Sequence, residues 1–102
     1  MNKDPQFTAT VKEILDVIKN ISPGKSVELR VPPYGAIQCV SGSNHRRGTP
    51  PNAVEMSGQT LIRLINEPSL WSDLCVSGEV RASGLLSDLS NAFAQTAVKY
   101  RA

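Results

Sequence analysis

The chain has one histidine and two cysteines in 102 residues, and that scarcity excludes most site chemistries at once. Cys39 and Cys75 share no Cys-x-x-Cys spacing, so they supply neither a zinc cluster nor a disulfide framework and read as reduced, buried small hydrophobes. His45 has no acidic neighbour in sequence to orient its ring, so a Ser-His-Asp arrangement would have to be assembled from distant positions; general acid-base work, on an anion or an acyl thioester, is the one catalytic role left to it. The sequence contains no GxGxxG, no P-loop lysine motif and no paired-carboxylate signature. No apolar run approaches the ~18 residues that a membrane span requires. Met1 to Pro5 also lack the apolar core of a signal peptide, so the expected location is cytoplasmic, without stable membrane insertion. A net charge of +2 gives little general attraction to nucleic acid, and only Tyr34 stands near the basic residues to offer stacking. These absences lead to the expectation of a protein that is not an enzyme, needs no cofactor or metal, and binds no nucleic acid.

What is present is an ordinary globular composition, with 40% apolar and 20% charged residues, and a length that fits a single domain over residues 1–102. The core is expected over about 8–95, with a loose tail over 97–102. The most informative stretch runs from Val27 to Glu55. Val27, Leu29 and Val31 alternate with Glu28 and Arg30, and Ile37 and Cys39 flank Gln38, as in half-buried strands. Pro32-Pro33-Tyr34-Gly35 between them reads as a chain reversal, because two prolines cannot donate to a ladder and glycine accepts positive φ. The second strand leads into His45-Arg46-Arg47-Gly48-Thr49-Pro50-Pro51, a basic loop braced by a glycine and a proline pair.

Helical spacing of Phe7, Val11, Ile14, Leu15, Ile18 and Ile21 predicts a first amphipathic helix, started either by Asp4-Pro5 or by a Thr10/Glu13 capping box and ended by Ser22-Pro23-Gly24. Strands are expected at about 26–31, 36–41 and 52–56. Ser57 then caps a helix carrying Leu61, Ile62, Leu64 and Ile65, which Pro68 terminates. Ser69 starts a short helix with Leu70, Trp71 and Leu74, closed by Gly78. A strand from Glu79 to Ser83 should turn Val80 and Ala82 inward and Glu79 and Arg81 outward, and a last helix should carry Leu85, Leu86, Leu89, Ala92 and Phe93 as one stripe. The order implies an α+β pair of layers, with helices on one face of the sheet. The other face holds Glu28, Arg30, Gln38, Glu55, Glu79 and Arg81, with Arg30 and Glu55 as a cross-strand pair.

Three segments carry a family resemblance: Val27 to Ala36; His45-x-Arg47-Gly48-Thr49-Pro50-Pro51-Asn52-x-Val54-Glu55; and Ser77 to Gly84 followed by Asp88-Leu89. They resemble the bacterial branch of the sterol carrier protein superfamily over roughly residues 8 to 95. Arg46 stands where that pattern more often has a small polar residue. The resemblance implies a mostly antiparallel sheet of four to five strands with helices packed on one face, and an apolar tunnel between the layers that holds lipid. For the bacterial branch it implies no assigned reaction.

On this reading an acyl or sterol-like molecule lies between helices and sheet, touching Leu61, Ile65, Trp71, Leu89 and Phe93. Its anionic head meets His45, Arg46, Arg47 and Thr49, since arginine forks match carboxylate or phosphate oxygens and Gly48 admits backbone N–H groups. The bland alternatives are a filled core and a solvated loop in which Arg47 pairs with Glu55. Magnitude bears on the choice: an empty cavity of about 300 Å³ would cost roughly 7 kcal/mol, comparable with the whole stability of a small domain. Such a space is therefore filled by ligand, closed by a second copy or a protein partner, or collapsed. The competing function is a structural or protein-interaction domain that retains the carrier fold around a closed core.

Overall fold

In a computed structural model describing residues 4–42 and 52–101, the first helix, α1 (Pro5–Ile21), begins at the earlier of its two candidate starts. Asp4 caps it by accepting the Gln6 N–H at 2.9 Å, and Pro5 takes the first position, where its missing N–H costs nothing. Val11, Ile14, Leu15 and Ile18 form its buried face. The chain then enters β1 (Val27–Val31) and returns through the proline turn, where the Tyr34 N–H donates to Val31 O at 2.8 Å, into β2 (Gly35–Cys39). β3 comprises Asn52–Glu55.

Ser57 caps α2 (Gly58–Asn66) through its Oγ, which accepts the Thr60 N–H at 3.1 Å. Pro68 ends that helix, and a 3₁₀ turn over Pro68–Leu70 leads into α3 (Trp71–Ser77), closed by Gly78 at φ 88°. β4 (Arg81–Ser83) and α4 (Ser90–Arg101) complete the chain.

The sheet order is β2-β1-β3-β4. The β1/β2 and β3/β4 pairings are antiparallel, whereas β1 and β3 run parallel with Leu29 opposite Val54, so the sheet is mixed. β3 pairs with the free edge of β1 rather than extending the hairpin, which a linear run of strand patterns does not reveal. Inward residues Val27, Leu29, Val31 and Val54 join Ile14, Leu61, Val80, Leu89 and Phe93 in one buried cluster under the helices. On the opposite face, Arg30 lies beside Glu55 at 3.9 Å, as its register predicts, and Glu55 also binds Arg81 at 2.6 Å.

Three local expectations are corrected. Glu79 precedes β4, and its carboxylate meets Arg63 of α2 at 3.2 Å instead of joining the polar sheet face. Ala82 lies in register with inward Val54 but is exposed, because it stands on the last strand of the sheet where helical cover has ended. Leu85 and Leu86 do not belong to the last helix. The Ser87 N–H and Oγ both bind Gly84 O, closing a turn, and Asp88 accepts the Ser90 N–H at 2.9 Å, so helix geometry begins only at Ser90. Beyond Ala97 the chain remains helical to Arg101, with Ala97 buried and Tyr100 packed on the core, because the apolar spacing of α4 continues through these positions.

Candidate functional site

Leu61 and Ile65 sit one turn apart on α2, Trp71 opens α3, Leu89 precedes α4, and Phe93 lies one turn into it. All five are buried and belong to the same cluster. Trp71 and Phe93 form its aromatic centre, their rings 5.8 Å apart and inclined by 35°. Thus the apolar residues that the sequence singles out, drawn from three helices and a turn, are brought together above the inner face of the sheet. His45, Arg46, Arg47 and Thr49 lie outside the described residues.

This apolar layer reaches solvent at the β4 edge. A groove of about 450 Å³ runs between α3 and the turn before α4, lined by Trp71, Cys75, Val76, Val80, Ala82 and Asp88. Val76 on its rim is almost fully exposed, and Leu85 in the nearby turn entirely so. Two other open grooves border β4. One, about 400 Å³, is lined by Glu55, Ser57, Thr60, Glu79 and Arg81, and the other, about 440 Å³, takes in Arg30, Glu55 and Arg81 of the charged sheet face. The α3 groove differs from these two in having the edge of Trp71 in its wall.

Its electrostatics are one-sided. Hydrogen bonds from Ser90 hold the Asp88 carboxyl below the usual carboxylate range, so it is ionised at neutral pH. The Cys75 thiol is pushed up, first by partial burial and then by the Asp88 charge, which keeps it protonated. An anionic group is disfavoured at this end of the groove.

The described residues that flank the basic segment, Gly42 and Asn52, converge on the turn between β4 and α4. At one end, Gly42 packs so closely on Leu86 and Ser26 that an added Cβ would stand 2.6 Å from Leu86 Cδ1 and from Ser26 Oγ. At the other end, Asn52 donates from Nδ2 to Ser26 O at 2.8 Å and accepts the Leu86 N–H on Oδ1 at 3.0 Å. Just before the loop, Val40 is held at φ 67°, a conformation rare for a β-branched residue, with its N–H on Ser22 O and its carbonyl receiving the Ser26 N–H. Sequence reading passes over Ser26 and Asn52. The one available signal was an asparagine opening a strand, a residue that strands disfavour unless its side chain has a local task.

Among the described residues, no three His, Cys, Asp or Glu side chains gather as a metal site, and no helix is long and apolar enough to cross a membrane.

Comparison with known proteins extends this description. No curated protein sequence matches the chain. A solved structure described as "UbiJ-SCP2 Ubiquinone synthesis protein" shares the fold, with a TM-score of 0.56 and 14% identity, over 100% of this chain and 98% of that one. The family model described as "Bacterial SCP ortholog" matches residues 4–94. With nearly its whole length accounted for in this way, and with helices layered on one face of a mixed sheet, the chain belongs to the bacterial branch of the sterol carrier protein superfamily.

Proposed function

We propose that this protein is a cytoplasmic, non-catalytic carrier-like domain that binds an apolar small molecule, an acyl chain or similar lipid, between its helices and its sheet. The observation that carries the reading is the convergence of Leu61, Ile65, Trp71, Leu89 and Phe93 in one cluster whose Trp71 edge opens into the groove beside β4. Family membership supports a carrier-type role in general, and the proposed tail contacts draw on the shared cluster. Each methylene taken from water into that layer contributes about 0.8 kcal/mol, so a chain of ten or more carbons gains enough to bind even after some side chains move aside.

His45, Arg46, Arg47 and Thr49 would hold the anionic head group; the described residues on either side of them, Gly42 and Asn52, pack on the β4–α4 turn. Two charged arginines beside an anion would favour a carboxylate or phosphate head group.

Native mass spectrometry of gently purified protein, with titration of fluorescent fatty acids read through Trp71, tests the proposal. Co-purified lipid and a saturable Trp71 signal are expected; neither appearing would reject it. A second reading, an interaction domain with a closed core, draws on the exposed Val76 and Leu85 and on the uncovered face of Arg30, Glu55 and Arg81. It requires a homodimer or a protein partner, so a strict monomer that binds apolar probes would dispose of it.

A further inference from the structure

Thr96 interrupts the core-facing stripe of α4. Leu89, Phe93, Thr96 and Tyr100 succeed one another at spacings of four, three and four, which keeps them on one side of the helix. Thr96 is 0% exposed, and its Oγ1 has no hydrogen-bond partner among the described residues. Other buried polar side chains are satisfied: Asn52 by Ser26 and Leu86, Thr60 by Ser57, and Ser87 by Gly84. A valine would fill the same volume without burying a hydroxyl. An unpaired one costs about as much as a lost hydrogen bond, so a hydroxyl at this position is favoured only with a partner.

The surroundings say what kind of partner it is. One turn before Thr96, Phe93 packs against Trp71; one turn after it, Tyr100 reaches Glu13 of α1 with its hydroxyl, at 3.4 Å. The hydroxyl therefore lies along the same helix face as Leu89 and Phe93, two of the proposed tail contacts.

We propose that Thr96 is the hydrogen-bonding contact for an oxygen carried within the body of the bound molecule, so that the preferred ligand is a lipid bearing a hydroxyl or carbonyl along its length rather than an unsubstituted alkyl chain. This rests on the carrier reading above and narrows its ligand class. In an apolar layer the ligand oxygen and the threonine hydroxyl are each costly alone and satisfied together, whereas a plain chain leaves Thr96 unpaired. Sites that hydrogen-bond a ligand group discriminate strongly against the analogue that lacks it.

The test compares stearate with a series of hydroxystearates substituted at successive chain carbons, titrated by Trp71 fluorescence into the natural protein, Thr96→Val and Thr96→Ser. One positional isomer is expected to bind the natural protein about fivefold to tenfold more tightly than stearate. Thr96→Val should abolish that preference while holding stearate at least as well, and Thr96→Ser should retain it. Without ligand, Thr96→Val should unfold at the same or higher urea concentration than the natural protein, which separates the loss of preference from misfolding. Stearate binding with no isomer preferred, or a preference that survives Thr96→Val, overturns the role of Thr96. Failure of every probe, stearate included, overturns the carrier reading and this one with it.

Discussion

Asn52 Oδ1 accepts the backbone N–H of Leu86 at 3.0 Å across 34 positions of sequence, and the Nδ2 of the same side chain donates to Ser26 O at 2.8 Å. One buried amide thereby fastens β3, the entry to β1 and the turn before α4. Asn52→Ala leaves a carbonyl and an N–H without partners, and at about 1–3 kcal/mol per unsatisfied group the expected loss is roughly 2 to 4 kcal/mol in urea unfolding. Gly84→Ala should also destabilise, because a Cβ there would collide with the Asn52 side chain and the backbone stands at φ 104°.

Burial separates two leucines that look alike in sequence. Leu61 is fully buried on α2, and Leu85 is 100% exposed in the turn. Leu61→Ala is expected to cost about 2–5 kcal/mol, and Leu85→Ala to stay within about 0.5 kcal/mol of the natural protein. A cost above about 1.5 kcal/mol for Leu85→Ala in denaturant unfolding would show that its apolar side chain has cover.

Cys39 reports on the core through pH. Burial pushes its thiol from an ordinary value of 9.0 up to about 11. Between those values the unfolded chain has released the proton and the folded protein keeps it, so the contribution is whole below pH 9 and is lost as pH rises towards 11. The full loss is about 3 kcal/mol. Urea midpoints across this range should fall less steeply for Cys39→Ala than for the natural protein, and equal slopes would contradict the assignment.

Cys75 is partly exposed and its thiol is raised both by burial and by the Asp88 charge. Alkylation by iodoacetamide at pH 8 should label Cys75 and leave Cys39 intact in the folded protein, since the thiolate is the reacting species and Cys39 is both protonated and enclosed. Asp88→Asn removes the charge that holds the Cys75 proton, so labelling should quicken. A slower rate would mean that Asp88 acts on this thiol mainly through structure.

The local pieces of this protein were legible in its sequence, because short-range physics governs them. The proline turn, the Ser57 cap, the Gly78 stop and the apolar faces of α1 and α2 each depend on residues within a turn or two of one another. Alternation in β1 and β3 also told which face Arg30 and Glu55 share, and the order of elements implied helices on one face of the sheet. Leu85 and Leu86 failed that local logic, since a helical stripe and an apolar turn read alike until the Gly84–Ser87 turn and the Asp88 hydrogen bond are seen to delay the helix to Ser90.

Only the tertiary structure decided the rest, for the reason that each depends on partners distant in sequence. The parallel docking of β3 on β1 is set by which sheet edge remains free, the exposure of Ala82 by where helical cover ends, and the task of Asn52 by segments 26 and 34 positions away. Thr96 belongs in the same group: a threonine in a helix is unremarkable as a letter, and it becomes a missing half of a hydrogen bond only when packing removes it from water.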